Sequence, residues 1–402
     1  MSVQLDEIFD STAENFIFKD KSVLQPNFSP ETIPHRDEQI KQIASILAPC
    51  LRGEKTSNLF LYGKTGTGKT LSVQFVKNEL LKRSKANDTF QLKIIYLNCK
   101  LKKVSDTEYR ILAEIISRLG GSVPSTGLPT DAVYNRFIEL VEKEKQIILL
   151  VLDEVDHAVK KISDAFLYNL LRINSELTNT QISIVGISND LTFLDGLDPR
   201  VKSSLSEEEI VFPPYNALQL QDILKERAKL AFKENVIKDG VVAKCAAFAA
   251  REHGDARRAL DLMRIAAELC ERENSKNIVL KHIDLANEKI EKDKILDVIK
   301  TEPQQFQLVL LSIINLTEAN RDSIFTGDIY AVYQDLCLRN KVEILTPRRV
   351  SDILAEFDML GLISAKVISK GRGGRMREIK LTIPSNIMGK AKEIIKDALV
   401  YA

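Results

Sequence analysis

The stretch LYGKTGTGKT, Leu61 to Thr70, places glycine at 63, 66 and 68, which suits neither a helix nor a strand. It follows the apolar run Leu59 to Tyr62 and leads into LSVQFVKNELL, whose apolar spacing is helical. The order is therefore strand, loop, helix, and Gly63-x-x-x-x-Gly68-Lys69-Thr70 is the phosphate-loop pattern. Glycine tolerates positive φ, so successive N–H groups converge on an anion at the N-terminus of the following helix. The expected guest is a nucleotide, ATP or ADP, cradled by Gly63, Lys64, Thr65, Gly66, Thr67, Gly68, Lys69, Thr70 and Leu71. Lys69 is expected to reach the β and γ phosphates. The Thr70 hydroxyl is expected to serve Mg2+, a hard ion that takes oxygen ligands.

A phosphate loop holds nucleotide but does not hydrolyse it alone. The run IILLVLDEVD reads as a buried strand ending in Asp153 and Glu154 at the carboxyl edge of a parallel sheet, where ligands bind. Asp153 suits the Mg2+ shell, and Glu154 suits activation of the attacking water. SIVGISND is another buried strand, ending in Asn189, which is placed to orient that water. LDPRVKSSL puts Arg200 where a neighbouring subunit's nucleotide would be met, and GDARRAL puts Arg257 at a helix start facing the same phosphates. Arginine suits both tasks because its fork pairs bidentately with phosphate oxygens. Taken singly, Asn189 also reads as a strand-end turn residue, and Arg200 and Arg257 as surface charges. Their order along the chain favours the catalytic reading.

The 402 residues suffice for two or three domains. The 57 basic and 56 acidic side chains nearly cancel, which excludes a uniformly basic coat but not a local basic face. The longest apolar run, Ile147 to Leu152, is far short of the ~20 residues that span a bilayer. MSVQLDEIFD lacks a signal region, so no membrane partner is expected, and the expected location is cytoplasmic and nucleoid-associated. Five scattered cysteines and four dispersed histidines read as ordinary core and surface residues, not as a metal centre. Apolar runs at Leu59 to Tyr62, Ile94 to Leu97, Ile147 to Leu152 and Ile182 to Ile187 alternate with amphipathic helices, the pattern of an α/β parallel sheet. After VFPPYNA the strands stop and the pattern is helical. Boundaries near Phe212 and Thr301 give a nucleotide-binding core over 1–212, a helical lid over 213–300 and a third domain over 301–402.

In the third domain, TGDIYAVYQDLCLRN is a helix opened by Thr326. TPRRVSDILAEFDMLG is a second, with Thr346 as N-cap, Pro347 in the first turn and Gly361 past the end. Val350, Ile353, Leu354 and Phe357 share one face, leaving Arg348, Arg349 and Ser351 at the end a recognition helix directs into the major groove. LISAKVISKGRGGRMREIKLTI follows as a hairpin carrying Lys366, Lys370, Arg372, Arg375, Arg377 and Lys380 against the single acid Glu378. Helix, helix, basic hairpin is the order of a winged helix that binds double-stranded DNA. The hairpin tip, with Lys370, Arg372, Arg375 and Arg377, enters the narrow groove on this reading. A solvated hairpin with an ordinary glycine turn is the alternative.

The ordered set of phosphate loop, acidic strand end, Asn189, DPRVKSSL and GDARRAL resembles the AAA+ ATPases. IPHRDEQIKQIASIL, GKTGTGKT, LDEVD, RVKSSL, FPPY and HGDARRALDLMRIAAELCE further resemble the archaeal replication initiators akin to origin recognition complex subunits, from about Pro34 to the C-terminus. The resemblance implies an AAA+ ATPase core and lid with a C-terminal winged helix, binding of the replication origin and recruitment of the replicative helicase; ATP hydrolysis is expected to be slow in a lone chain if Arg200 acts only on a neighbour's nucleotide. It also implies other initiator subunits as partners. It makes Tyr215 and Arg227 nucleotide contacts, sets Pro34 to Arg36 near the adenine, and makes the segment 100–146 resemble an added DNA-touching helix; a plain packing helix is the alternative there. The loop departs from many relatives in carrying Lys64 and Thr65 where proline is common. Two rival functions are a transcription regulator with an ATP-sensing core, which promoter footprints would reveal, and a clamp-loader-like assembly ATPase, which lacks a basic wing.

Overall fold

The computed structural model describes residues 17–84, 90–100, 107–124, 127–205, 208–319, 324–369 and 375–400. The chain divides into two compact units, Met1–Ile283 and Asp284–Ala402. In the first, five parallel strands lie in the order β2-β3-β4-β1-β5. They are β1 (Leu59–Tyr62), β2 (Gln91–Asn98), β3 (Gln146–Asp153), β4 (Thr180–Ser188) and β5 (Glu208–Val211). Helices α1 (Asp37–Leu47), α2 (Lys69–Ser84), α3 (Glu108–Arg118), α4 (Thr130–Val141), α5 (Val155–Ile162), α6 (Ala165–Ile173) and α7 (Pro199–Leu205) accompany the sheet.

Strand side chains alternate between faces, so each central strand feeds two cores. On one face Leu59, Leu61, Leu149, Val151, Val185 and Ile187 pack with Ile43 of α1 and Val73 and Val76 of α2. On the other, Phe60, Leu150, Leu152, Ile182 and Ile184 pack with α3 to α7. Gly186 makes this possible: a Cβ there would stand 2.2 Å from the Phe60 ring. The described residues between β2 and β3 include the two helices α3 and α4. Ile111, Leu112, Ile115 and Ile116 of α3 are buried in the second core, while Arg110 and Arg118 are exposed.

Four apolar runs of the sequence are four of the five strands. The fifth, β5, is short and acidic, with only Ile210 buried, because it covers the sheet edge beside β1. Beyond it come α8 (Ala217–Ala231), α9 (Val241–Arg251), α10 (Ala256–Arg272) and α11 (Leu280–Thr301), and the unit boundary falls inside α11. The N-terminal segment lies on α8: Phe18 stacks on Phe232 at 5.3 Å, and the Lys19 N–H donates to the Ala231 carbonyl at 2.8 Å.

The second unit contains α12 (Gln304–Glu318), β6 (Ile324–Phe325), α13 (Thr326–Asn340), α14 (Pro347–Met359), β7 (Ile363–Ser369), β8 (Arg375–Leu381) and α15 (Ser385–Val400). The strands form an antiparallel sheet in the order β6-β8-β7, the winged-helix arrangement. Val350, Ile353, Leu354 and Phe357 of α14 are fully buried. The Thr346 hydroxyl caps α14 by accepting the Arg349 N–H. Among the described residues, no helix is long and apolar enough to cross a membrane. All five cysteines are buried and free.

Candidate functional site

Parallel register brings the chemistry together. Tyr62 is level with Ser188 of β4, Ile187 with Asp153 of β3, and Asp153 with Asn98 of β2. Because β4 lies between β1 and β3, Asn189 emerges between the phosphate loop after β1 and the acidic pair after β3. A cleft of about 780 Å³ opens there, lined by Thr65–Leu71, Asp153, Glu154, Asn189, Tyr215, Arg227 and Arg257. Gly63 and Lys64 stand behind it and contribute carbonyls instead.

The loop is held from both sides. Gly66 has φ 72°, and a Cβ there would fall 1.7 Å from an Asp255 carboxylate oxygen. The Ala256 N–H of α10 donates to the Gly66 carbonyl at 3.2 Å. Only glycine allows the helical domain to press so closely on the loop. Lys69, at the start of α2, is 5 % exposed. Its ammonium donates to the Gly63 and Lys64 carbonyls at 2.7 and 2.9 Å and to Asn189 Oδ1 at 2.9 Å. Burial pushes Lys69 down to about 8; Asp153, Asp156 and Glu154 oppose that shift and Arg257 reinforces it. A cation this poorly hydrated gains more from an anion than an exposed lysine would.

Asp153 Oδ2 accepts the Thr70 hydroxyl at 2.9 Å and the Tyr96 hydroxyl at 2.6 Å, and Oδ1 accepts the Glu154 N–H at 3.0 Å. Glu154 sits in the left-handed region at φ 55°, a conformation that costs a non-glycine residue of order 1 kcal/mol or more. Its Oε2 is buried without a hydrogen-bond partner, 3.9 Å from the Lys100 ammonium. The orphaned acceptor, the paired hydroxyl and carboxylate, and the buried cation together fit a magnesium nucleotide and a water beside it.

The remaining site residues divide. Arg257 lines the cleft beside the loop, with its N–H capped by Asp255 Oδ1 at 2.7 Å. Arg227 lines it from α8, its guanidinium 4.5 Å over the Phe28 ring. Tyr215 lines it too, but Arg36 lies behind, buried against Tyr215, while Pro34 reaches the cleft. Arg200 is outside: its side chain is 81 % exposed and pairs with Asp198 at 3.1 Å. Two contributors escaped the sequence reading. Tyr96 looks like any aromatic of an apolar strand, and the segment from Leu24 to Ile33, which walls the cleft, has no periodicity to read.

In the second unit Arg348 and Arg349 are exposed at the start of α14 and Ser351 is half-buried. Arg349 approaches Asp352 at 3.9 Å. Across the hairpin, Lys366 faces Glu378 and Val367 faces Arg377, with Lys366, Val367, Arg377 and Lys380 exposed. Lys370 and Arg372 lie outside the described residues, and Arg375 is described only as the first residue of β8.

Comparison with known proteins agrees with both units. The sequence pattern of the family described as AAA domain matches residues 52–193. Those described as Cdc6 AAA+ ATPase-type lid domain and as CDC6, C terminal winged helix domain match 221–288 and 297–391. The chain is 50% identical over 388 residues to the ORC1-type DNA replication protein of Pyrococcus furiosus, covering 95% of this chain and 91% of that one. It is 47% identical over 391 residues to ORC1-type DNA replication protein 1 of Sulfurisphaera tokodaii, covering 97% and 96%. Among solved structures, that of the Aeropyrum pernix ORC1 protein in complex with DNA matches with a TM-score of 0.82 at 43% identity, over 96% of this chain and 99% of that one. With an AAA+ core, a Cdc6-type lid and a winged helix in one continuous match, the chain belongs to the archaeal ORC1/Cdc6-type DNA replication initiators.

Proposed function

We propose that the chain is an ATP-dependent initiator that binds origin duplex DNA through its winged helix and helps bring the replicative helicase to that DNA. The observation that carries the nucleotide half is the convergence of Lys69, Thr70, Asp153, Glu154, Asn189 and Arg257 on one cleft. On this reading the functional segments are the core over 1–212, the lid over 213–300 and the DNA-binding domain over 301–402. Mg2+, when bound with ATP, supplies the charge that neutralises the terminal phosphates. Thr70 and Asp153 would hold it. Lys69 exchanges its loop carbonyls for phosphate oxygens, Asn189 orients the water, and Glu154 takes the proton that water gives up. Arg257 meets the terminal phosphate from the lid side. Tyr215 and Arg227 close on the remainder of the nucleotide.

Arg200 is exposed and does not line this cleft, so we assign it to a neighbouring subunit's nucleotide. Turnover by a lone chain is accordingly slow, since a missing arginine finger costs on the order of 10³-fold or more. The DNA half is supported by the exposed Arg348 and Arg349 at the start of α14, the basic β7–β8 hairpin, and the DNA-bound Aeropyrum relative. Exposed Arg110 and Arg118 of α3 mark the face on which the core would add a second DNA contact.

Calorimetry with MgATP, together with fluorescence anisotropy on duplexes carrying the origin of the source chromosome or its scrambled sequence, tests both halves. The parent is expected to bind MgATP and to prefer the origin duplex. Lys69→Ala removes the buried cation while leaving the loop N–H groups, and is expected to abolish ATP binding while leaving DNA binding in place. Unchanged ATP affinity in that variant would remove the nucleotide assignment. Equal affinity for both duplexes would remove the origin assignment.

A further inference from the structure

Behind the phosphate loop lies a buried cation whose polar partners are carbonyls. Arg36, immediately before α1, is 2 % exposed, and burial lowers its pKa from the ordinary arginine value against the support of Tyr215. A charge in such a place is costly unless its N–H groups find acceptors. Nε donates to the Thr67 carbonyl at 2.8 Å, Nη1 to the His35 carbonyl at 3.2 Å, and Nη2 to the Pro213 carbonyl at 2.6 Å. Its flat face lies 3.8 Å from the Tyr215 ring centroid and 5.6 Å from that of Phe212. One rigid fork therefore grips the phosphate loop at Thr67 and the connection from β5 to the lid at Pro213. It fixes the separation of the two carbonyls.

From Tyr215 the contact continues to the lid arginine. The Tyr215 N–H donates to the Gly254 carbonyl at 3.4 Å, and a Cβ on Gly254 would stand 2.3 Å from the Tyr215 carbonyl oxygen. With φ 67° and no side chain, Gly254 lets the turn between α9 and α10 lie directly on Tyr215. The next residues are Asp255, which packs on Gly66, Ala256, which donates to the Gly66 carbonyl, and Arg257, which lines the cleft. Thr67, Arg36, Tyr215 and Gly254 are thus linked contact by contact, and the chain runs on from Gly254 to Arg257 through Asp255 and Ala256, which also touch Gly66 directly.

We propose that Arg36 is a positioning residue that sets the distance of Arg257 from the phosphate loop, and through it the preference of the site for a nucleoside triphosphate over the diphosphate. This rests on the reading of Arg257 as a contact of the terminal phosphate. The loop N–H groups serve both nucleotides, whereas Arg257 on the lid side meets only the terminal phosphate, and Arg36, together with the Ala256–Gly66 hydrogen bond, ties that side to the loop.

The experiment measures ATP and ADP affinities of the full chain by calorimetry with Mg2+ for the parent, Arg36→Lys, Arg257→Ala and the double variant. Arg36→Lys keeps a cation but loses the fork and the flat face. It is expected to lower the preference for ATP about tenfold, the size of one lost hydrogen bond to a charged group, with ADP affinity nearly unchanged. The double variant is expected to be no worse than Arg257→Ala alone, because both act on one contact. Additive losses, or a parental preference in Arg36→Lys while Arg257→Ala has lost it, would overturn the role of Arg36 and spare that of Arg257. A parental preference in Arg257→Ala would instead overturn the reading of Arg257 and this route with it. Should Arg36→Lys fail to fold, Gly254→Ala, which forces the turn off Tyr215, must give the same loss of preference, and a parental preference there would sink the proposal.

Discussion

Two hydroxyls share one oxygen of Asp153, from Thr70 at 2.9 Å and Tyr96 at 2.6 Å, and their tasks differ. On the proposed reading Thr70 turns to the metal, whereas Tyr96, fixed in β2, keeps the carboxylate in place. Tyr96→Phe removes a single oxygen and keeps the ring. It is expected to raise the Mg2+ concentration needed for half-maximal ATP binding about tenfold or more, the cost of one hydrogen bond to a charged group, while metal-free ATP affinity stays the same. Calorimetry across a Mg2+ titration decides it; an unchanged Mg2+ requirement would make Tyr96 a packing residue. Glu154→Gln preserves shape and removes only proton acceptance. It is expected to bind ATP as the parent does and to lose turnover in a phosphate-release assay, and normal turnover would place the base elsewhere. The motif residues were legible because phosphate chemistry imposes fixed spacings on them. Tyr96 was not, because an apolar strand does not reveal which of its aromatics ends beside a carboxylate on the next strand.

Strands with two buried faces carry continuous apolar runs and are easy to read, as Leu59 to Tyr62 of β1 and Ile147 to Leu152 of β3 are. β5 has one buried residue and glutamates at 208 and 209, so its assignment depended on pairing with β1 rather than on its own composition. Helix α14 was legible throughout, since capping, periodicity and buried face agree. Its exposed start and the hairpin make separable predictions about DNA. Arg348→Ala is expected to cost about 1 to 3 kcal/mol on the preferred duplex and little on a scrambled one, as the loss of a base contact does. Arg372→Ala with Arg375→Ala is expected to weaken both duplexes alike and to reduce the salt dependence by a slope of roughly 0.9 for each phosphate charge no longer neutralised. Anisotropy at several salt concentrations separates these outcomes. Unchanged binding of both duplexes by the double variant would make the hairpin a solvated face. The register sets the one acid of the hairpin, Glu378, opposite Lys366, which a linear charge count does not show.

For the molecule in company with its own kind, Arg200 is the residue to watch. Arg200→Ala is expected to leave ATP affinity of the dilute chain unchanged, because its side chain is exposed, pairs with Asp198 and does not line the cleft. Where turnover per chain rises with protein concentration in the parent, the variant is expected to lose that rise. A loss of ATP affinity at low concentration would instead bring Arg200 into the chain's own cleft. The sequence by itself determined the class of fold and the winged-helix order, and it singled out the phosphate loop, Asp153, Glu154, Asn189 and Arg257, which the fold brings to one cleft. Each of these is written in local spacing, which is a property of the chain before it folds. Only the tertiary structure decided that Arg36 lies behind the loop, that Tyr96 holds Asp153, that the segment before Pro34 walls the cleft, and that α3 buries its apolar face in the core. Those roles depend on residues far apart in sequence meeting across a sheet edge or a domain turn. No periodicity encodes such meetings, because they follow from strand order and from glycines at 66, 186 and 254 that let backbone and side chains approach closely.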